Sequence, residues 1–315
     1  MVKFILRRLL YALITLWLIA TFTFVLMKNL PGDPLGEGSE RIPKETKAML
    51  LKQYGLDKPL WEQYLTFMNN IIHGDLGASF QFPAHKVTDI IKQAFPSSLE
   101  LGLIAIVIAI IVGLTLGIIA ALKHNKAGDY TAMFIAVVGV SIPSFVLGPL
   151  LSYYIGVKWG ILPAGLWKGT LLTGTQYRVL PAIALSFGTI AILARLMRTS
   201  MLDVLNQDYI KTAKAKGLSN FTVVVKHTIR NAILPVITII GPIFVNVITG
   251  TLVVEQIFSV PGLGKHFVSS VYSNDFTMIS GLTIFYSSIL ILVIFITDVL
   301  YGFIDPRIRL GKGGK

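Results

Sequence analysis

Six long stretches of this 315-residue chain contain no Asp, Glu, Lys or Arg, and they restrict the fold more than any other feature. They cover residues 9–27, 101–122, 130–157, 179–194, 234–254 and 279–297. A helix of about 20 apolar residues crosses the hydrocarbon core of a bilayer. Charged residues make up only 14% of the chain, against about 25% in a typical soluble protein. The sequence therefore predicts an all-α membrane protein with six transmembrane helices.

The distribution of cations between the connecting segments predicts the orientation of these helices. The short segments on one side hold sixteen Lys and Arg residues, and those on the other side hold five. Because Lys and Arg are enriched in cytoplasmic segments, we expect both termini in the cytoplasm. The net charge of +12 then follows from topology, and no nucleic-acid partner is expected.

Four segments are predicted along the chain. They are a tail and first transmembrane helix at 1–28, an external segment at 29–98, a five-helix core at 99–310 and a cytoplasmic tail at 311–315. The external segment contains two predicted amphipathic helices, 43–54 and 59–73, each ended by a glycine. These helices could lie on the membrane, pack on the bundle or form a docking platform for an external partner.

Two local patterns predict how particular spans pack. Gly113 and Gly117 form a G-x-x-x-G spacing in the second span, which permits close approach of another helix. Pro143 predicts a kink in the third span, with a nearby serine hydroxyl bonding the freed backbone groups. The candidate residues for a translocation pathway, in spans three to five, are Ser141, Pro143, Asn246 and Thr249.

Residue patterns for catalysis, metal binding or ion coupling are absent from the sequence. The chain has no cysteine, and its five histidines do not have metal-ligand spacing. The carboxylates nearest the spans, Glu100, Glu255 and Asp298, lie at their edges, whereas ion-coupled transporters use ionisable groups within the bilayer. Either the chain conducts passively or its energy comes from another subunit.

A polar, basic segment at residues 195–235 separates the fourth and fifth predicted spans. It contains seven Lys or Arg residues and two Asp residues, so it must lie outside the bilayer. Part of it, residues 208–216, has the pattern of a short helix. One face of this helix, at positions i, i+3, i+4 and i+7, holds Tyr209, Thr212, Ala213 and Lys216.

The two ends of this short helix are also predicted from residue type. Asp208 is the predicted N-cap, and Gly217 can adopt the left-handed conformation that ends a helix. The small side chains of Thr212 and Ala213 allow a partner to approach closely. A solvated helix that merely links two spans would show the same pattern.

Several short motifs occur in order along nearly the whole chain. They are Pro-Gly-Asp-Pro at 31–34, Tyr-Gly-Leu-Asp-Lys-Pro-Leu at 54–60, Gly-Asp-Leu-Gly at 74–77, Phe-Pro-Ser-Ser-Leu-Glu-Leu at 95–101, Asp-Tyr-Ile-Lys-Thr-Ala-Lys-Ala-Lys-Gly-Leu at 208–218, Lys-His-Thr-Ile-Arg-Asn-Ala-Ile-Leu-Pro at 226–235, Glu-Gln-Ile-Phe-Ser-Val-Pro-Gly-Leu-Gly at 255–264 and Asp-Pro-Arg-Ile-Arg at 305–309. Together they resemble the B-type permease subunit of bacterial oligopeptide and dipeptide ATP-binding-cassette importers. The resemblance implies the type I permease fold of such importers, with a cytoplasmic coupling helix, in the bacterial plasma membrane.

The same resemblance implies a set of partners. A second, homologous permease subunit would complete a central pathway in the lipid bilayer. Two cytoplasmic ATP-binding subunits would dock beneath, and an external peptide-binding lipoprotein would deliver the substrate. ATP and magnesium would be bound by the ATP-binding subunits, so this chain is expected to bind no cofactor and not to be an enzyme.

The resemblance further implies that the segment 208–218 forms the coupling helix, which sits in a groove on an ATPase and transmits its closure. The family's Glu-Ala-Ala triple maps onto Lys211, Thr212 and Ala213, and its glycine maps onto Gly217; Lys211 replaces the glutamate. The predicted coupling residues are Asp208, Tyr209, Lys211, Thr212, Ala213, Ala215, Lys216, Gly217 and Leu218.

Alternatives of two kinds remain open from the sequence. Within the same importer class, the substrate could be a dipeptide, glutathione, a nickel chelate or a signalling peptide. A passive channel or a secondary transporter is the alternative of a different class.

Overall fold

The structure is a computed structural model that describes residues 2–30, 43–53, 55–80 and 85–304. The motifs at 31–34 and 305–309, Tyr54 and the tail at 311–315 lie outside the described residues. The helices are α1 (Val2–Asn29), α2 (Lys44–Gln53), α3 (Leu60–Ile72), α4 (Val87–Leu122), α5 (Ala127–Ser141), α6 (Ser144–Leu151), α7 (Gln176–Leu205), α8 (Asp208–Ala215), α9 (Asn220–Thr222), α10 (Arg230–Ala232), α11 (Leu234–Phe258), α12 (Leu263–Tyr272) and α13 (Phe276–Ile304). Two π-helical segments, Ser152–Lys158 and Val223–Ile229, continue α6 and α9.

The described residues are mostly helical and form no strand, which confirms the predicted all-α class. Four helices, α1, α4, α7 and α13, are long and apolar enough to cross a membrane. Two bent pairs pass the same test together: Ala127–Ser141 with Ser144–Lys158, and Asn220–Ala232 with Leu234–Ile248. The described part of the chain thus contains four candidate spans, or up to six if each bent pair counts as one. The count of six stays a prediction.

The chain divides into two compact units, residues 1–97 with 261–315 and residues 98–260. In the second of these units, helix α7 occupies the centre and packs against α5, α6 and α11. Its side chains Leu180, Leu193, Met197 and Met201 are almost completely buried. Outside the bilayer, the removal of this apolar surface from water stabilises the unit. Within the bilayer, close packing between the helices stabilises it.

Close packing between α4 and α7 depends on the two predicted glycines. A Cβ atom on Gly113 would lie 2.8 Å from Cβ of Leu193, and one on Gly117 would lie 2.6 Å from the carbonyl oxygen of Ala194. Both distances are shorter than atoms of these types tolerate. The G-x-x-x-G spacing therefore does mark a helix-packing face, as predicted.

The predicted kink in the third span is a sharp bend. The helix axes on either side of Ile142 and Pro143 differ by 103°. The Ser141 hydroxyl donates to the carbonyl oxygen of Val137 at 2.8 Å. The carbonyl that Pro143 cannot bond is that of Gly139, four positions earlier, so the predicted serine contact to a freed backbone group stays a prediction. Pro143, with extended backbone, then becomes the N-cap of α6.

Arg178, in the first turn of α7, organises the loop that precedes this helix. Its side chain is buried, and its guanidinium lies 4.4 Å from the centre of the Trp167 ring. Its hydrogen-bond acceptors are Glu100 Oε1 at 2.7 Å and the carbonyl oxygens of Gly174 at 2.8 Å, Gly169 at 3.0 Å and Lys168 at 3.1 Å. One buried cation thus fixes the path of the loop backbone.

In the unit formed by residues 1–97 and 261–315, helix α1 packs against α13 and α3. The Thr21 and Tyr64 hydroxyls lie 2.8 Å apart, and the Phe24 ring contacts those of Tyr64 and Phe67 with centroids 5.4 Å away. The amphipathic helices predicted at 43–54 and 59–73 are present as α2 and α3. Because α3 presents Tyr64 and Phe67 to α1, it packs on the bundle; Ile72, 78% exposed, does not take part.

Candidate functional site

The helix predicted at 208–216 exists as α8, Asp208–Ala215, but its N-cap lies one residue before the predicted one. The N-cap is Gln207, whose extended backbone precedes the first helical residue, Asp208. The Gln207 carbonyl accepts from the Ile210 amide at 3.1 Å. The Asp208 carboxylate instead accepts from the Lys211 ammonium at 2.9 Å, so the prediction of Asp208 as N-cap is wrong. A carboxylate in the first turn still interacts favourably with the helix dipole.

The end of α8 is a Schellman motif centred on Gly217, as the residue type predicts. Gly217 has φ +78°, in the left-handed region. Its amide donates to the Lys214 carbonyl at 3.0 Å, and the Leu218 amide donates to the Ala213 carbonyl at 3.4 Å. These are the two bonds that define this helix ending. The backbone therefore reverses at Gly217 and directs the following residues away from the helix axis.

One face of α8 packs against the chain's own helices. Ile210 is completely buried and Ala213 is 6% exposed, and both contact Val223 at the start of the following π-helical segment. Val204, near the end of α7, also packs against this cluster. The predicted partner-facing stripe is therefore wrong at Ala213, because the same small side chain that would admit a partner admits Val223 instead.

The opposite face of α8 is exposed and continues past Gly217. We define the coupling surface as the exposed side chains of residues 208–221. Its apolar members are Tyr209 at 45% exposure, Leu218 at 40% and Phe221 at 77%. Thr212 and the lysines at 211, 214 and 216 are exposed beside them. Phe221 was not predicted, although an aromatic residue within a basic, polar segment is a signal that could have identified it.

A second capped turn lies at the end of the coupling surface, where α9 begins. The Ser219 hydroxyl accepts from the Thr222 amide at 3.3 Å and so caps the short helix that carries Phe221. Phe221, 77% exposed on this capped helix, is an aromatic residue of the kind that is enriched at protein interfaces.

An ion-pair cluster that the sequence did not reveal includes Arg198, four residues past the fourth predicted span. Arg198, on α7, forms a two-point ion pair with Asp129 on α5: Nε lies 2.6 Å from Oδ1 and Nη2 lies 2.7 Å from Oδ2. The Asp129 side chain is buried, and it also accepts from the Asn125 amide at 3.0 Å. The His124 ring nitrogen Nδ1 is 3.2 Å from the same carboxylate. The cluster joins α5 to α7 seven residues before α7 ends and ten residues before the coupling surface begins.

The four candidate pathway residues lie in the unit 98–260, two of them at the bend between α5 and α6 and two on α11. Ser141 and Pro143 flank the bend between α5 and α6, and both are exposed. Asn246 lies on α11 with an exposed side chain; the side chain of Thr249 is outside the described residues. Helices α6 and α11 pack together, but whether these residues line a pathway stays a prediction.

The fold and this segment together define a class: an all-helical, multi-pass membrane protein with a compact polar element between two of its candidate spans. Comparison with known proteins gives the family. Residues 113–310 match the family of binding-protein-dependent transport system inner membrane components. Residues 1–102 match the N-terminal part of the membrane component of such systems. The chain belongs to this family of inner-membrane transport components.

Individual relatives match over their full length. The dipeptide transport system permease protein DppB of Bacillus subtilis is 46% identical over the whole of both chains. The oligopeptide permease OppB of Haemophilus influenzae is 44% identical, and that of Escherichia coli K12 is 41% identical; each alignment covers 98% of this chain and all of the relative. These relatives are membrane permease subunits.

A solved structure supports the fold independently of these sequences. The crystal structure of an amino acid ABC transporter with histidines aligns with a TM-score of 0.51 over 70% of this chain and 94% of that chain. Because the sequence identity is only 17%, the similarity concerns the fold alone.

Proposed function

We propose that this chain is a membrane-spanning permease subunit of an ATP-driven peptide importer. It forms half of the translocation pathway and couples to cytoplasmic ATPases through the coupling surface. The observation that carries the proposal is the similarity, over the full chain, to permease subunits of dipeptide and oligopeptide transport systems. The sequence contains no phosphate-binding loop of the G-x-x-x-x-G-K-[ST] type, so ATP is hydrolysed on partner subunits.

The proposed membrane topology has six spans, with each bent helix pair counted as one. Both termini and the segment 195–235 then lie in the cytoplasm. The support is the excess of Lys and Arg, sixteen against five, in the short segments on that side. In this topology the coupling surface faces the compartment that contains ATP, and the loop arranged by Arg178 faces the external binding protein.

The chemistry of the coupling surface indicates the kind of groove that receives it. Tyr209 and Phe221 offer aromatic contact area, which is enriched at the centres of protein interfaces. Three exposed lysines belong to the same surface, Lys211 and Lys214 on α8 and Lys216 directly after it, and the charge of Lys211 is partly compensated by Asp208 at 2.9 Å. The partner groove is therefore apolar at its base and acidic at its rim.

Coupling in this proposal is a rigid-body motion transmitted through packed elements. The ATPase moves α8. Ile210 of α8 belongs to a cluster with Val223, and Val204 near the end of α7 packs against this cluster. Helix α7 in turn is joined to the first turn of α5 by the Asp129–Arg198 ion pair, and the bend at Pro143 follows the other end of α5. A displacement of the coupling surface thus reaches the core of the unit 98–260 without passing through a flexible linker.

Reconstitution of the chain with its permease and ATPase partners in proteoliposomes tests the proposal. We expect uptake of a labelled peptide that requires ATP and the external binding protein. Uptake that continues without ATP would identify a passive channel, and uptake that stops when an ion gradient is collapsed, with ATP still present, would identify a secondary transporter. Competition by unlabelled dipeptides and longer peptides then determines the preferred peptide length.

A further inference from the structure

A cavity of about 520 Å³ in the unit formed by residues 1–97 and 261–315 has no part in the function proposed above. Its walls come from the end of α1, from the end of α2 and the turn at residues 55–58, from α3, from the loop at residues 75–80 and from the first turns of α13. Helix α1 is a candidate span that ends at Asn29, so the cavity lies at a membrane–water boundary. Its volume is within the range of small-molecule sites, about 300–1,000 Å³.

Part of the cavity lining is apolar. It includes Phe24, Met27, Phe67, Phe276 and Ile284. The rings of Phe24 and Phe67 contact each other with centroids 5.4 Å apart, which makes this wall continuous. A hydrocarbon chain fits such a wall, because both surfaces are removed from water on contact.

Another part of the lining is cationic. Lys28, Lys52 and Lys58 belong to it. Lys58 Nζ lies 4.0 Å from a carboxylate oxygen of Glu62, and Lys28 Nζ lies 5.7 Å from the centre of the Phe24 ring. Within the described ranges, neither Lys28 nor Lys52 forms an ion pair. This cationic part of the lining therefore attracts an anion.

The acidic residue in the lining does not cancel this charge. Asp75 accepts from the Gly77 amide at 2.9 Å and from the Lys86 ammonium at 3.2 Å. These two contacts compensate its carboxylate within the chain, and they hold the pKa of Asp75 below its usual value. The net positive charge of the cavity remains available to a ligand.

A buried acceptor in the lining adds a second requirement. Gln63 Nε2 donates to the carbonyl oxygens of Lys58 at 2.6 Å and Leu56 at 3.2 Å, which fixes the orientation of the amide. Its Oε1 atom is buried, and no residue of the described part of the chain donates to it. Because a buried acceptor without a donor is unfavourable, the site favours a ligand that carries a hydrogen-bond donor, such as a hydroxyl group.

We propose that this cavity binds an anionic phospholipid with a hydroxyl-bearing headgroup, of the phosphatidylglycerol type, taken from the surrounding bilayer. The phosphate lies between Lys28 and Lys52, a headgroup hydroxyl donates to Gln63 Oε1, and one acyl chain lies along Phe24 and Phe67. Bound lipid then joins α1 and α3 to α13 across the cavity. This site does not depend on the identity of the transported substrate.

Native mass spectrometry of the full-length chain with its co-purifying partners tests the proposal. The complex is titrated with phosphatidylglycerol and, separately, with phosphatidylcholine. The test variant is the double substitution Lys28→Gln and Lys52→Gln, and the matched control is Lys44→Gln, which changes an exposed lysine of the same helix α2 that does not line the cavity. We expect the wild-type and control complexes to retain one phosphatidylglycerol selectively.

The double variant should bind that lipid about 30-fold more weakly, which corresponds to about 1 kcal/mol for each lysine. An arginine double variant, Lys28→Arg and Lys52→Arg, should restore binding because it keeps both charges. Equal retention of phosphatidylcholine, or equal affinity in the double glutamine variant, would overturn the proposal. Binding of soluble glycerol phosphate as tight as that of the whole lipid would also overturn it, because the apolar wall would then contribute nothing.

Discussion

Substitution of Gly217 isolates the contribution of one backbone conformation to coupling. Gly217 has φ +78°, and a Cβ atom placed there would meet no other atom within 4 Å. The cost of a side chain is therefore conformational and not steric: about 1 kcal/mol for Gly217→Ala and about 2 kcal/mol for the β-branched Gly217→Val. Asn tolerates this conformation, so Gly217→Asn should cost least.

These free energies translate into a ranking of transport rates. Two forms of the segment compete: one ends α8 at Gly217 as in the structure, and in the other, misdirected form the following residues leave the helix in another direction. A cost of about 2 kcal/mol lowers the ratio of the first form to the second by about 30-fold. The misdirected form displaces Leu218 and Phe221 from the coupling surface. We therefore expect ATP-driven peptide uptake to decrease in the order wild type, Asn, Ala, Val, with little uptake in the Val variant, while membrane insertion is unchanged.

Gly160 provides a matched control for this series. It has φ +61°, and a Cβ atom there would also lie in open space, but it is outside the segment 195–235. Gly160→Val carries the same backbone cost and should leave uptake near the wild-type rate. Equal losses of uptake in Gly160→Val and Gly217→Val, or no loss in either, would refute the reasoning that the helix ending serves coupling.

Three further outcomes are expected from the contacts. Arg178→Met should lower the free energy of unfolding by about 3 kcal/mol, measured as a lower thermal midpoint, because it leaves Glu100 and three loop carbonyls without their donor. Asp129→Asn should destabilise the protein by about 2 kcal/mol or more, because buried Asp129 forms both ion-pair contacts with Arg198; Asp203→Asn, on an exposed side chain, is the control and should have no effect. Lys211→Ala should leave the thermal midpoint unchanged, since both members of its ion pair are exposed, and a large decrease would contradict this account.

The sequence was sufficient to predict features that depend on local chemistry. The coupling helix and its ending at Gly217 follow from residue spacing and from the conformational freedom of glycine. Pro143 identified the position of a bend, but the angle of 103° depends on how α5 and α6 pack on α7 and could not be derived from one residue.

Features that depend on distant residues could not be predicted. The helical periodicity grouped Ala213 with Tyr209 and Thr212, but it contained no information that Val223 would cover Ala213. Asp129 and Arg198 are 69 positions apart, so no local spacing connects them. Both were interpreted only as charges next to predicted spans.

The corrected position of Ala213 changes which substitution is informative. Ala213→Trp would insert a large side chain between Ile210 and Val223 and disrupt the segment itself. Thr212→Trp changes the exposed face without entering this cluster. It is therefore the cleaner probe of contact with an ATPase.

Site-specific cross-linking tests most directly the central claim, that the coupling surface contacts an ATP-binding subunit. The chain contains no cysteine, so single cysteines can be introduced without removing native ones. Thr212→Cys and Phe221→Cys should each form a cross-link to a co-purified ATPase through a short thiol-reactive reagent, while Lys168→Cys, exposed in the loop arranged by Arg178, should form none. Cross-linking of the ATPase to Lys168→Cys, or to none of the three in a complex that contains the ATPase, would contradict the account.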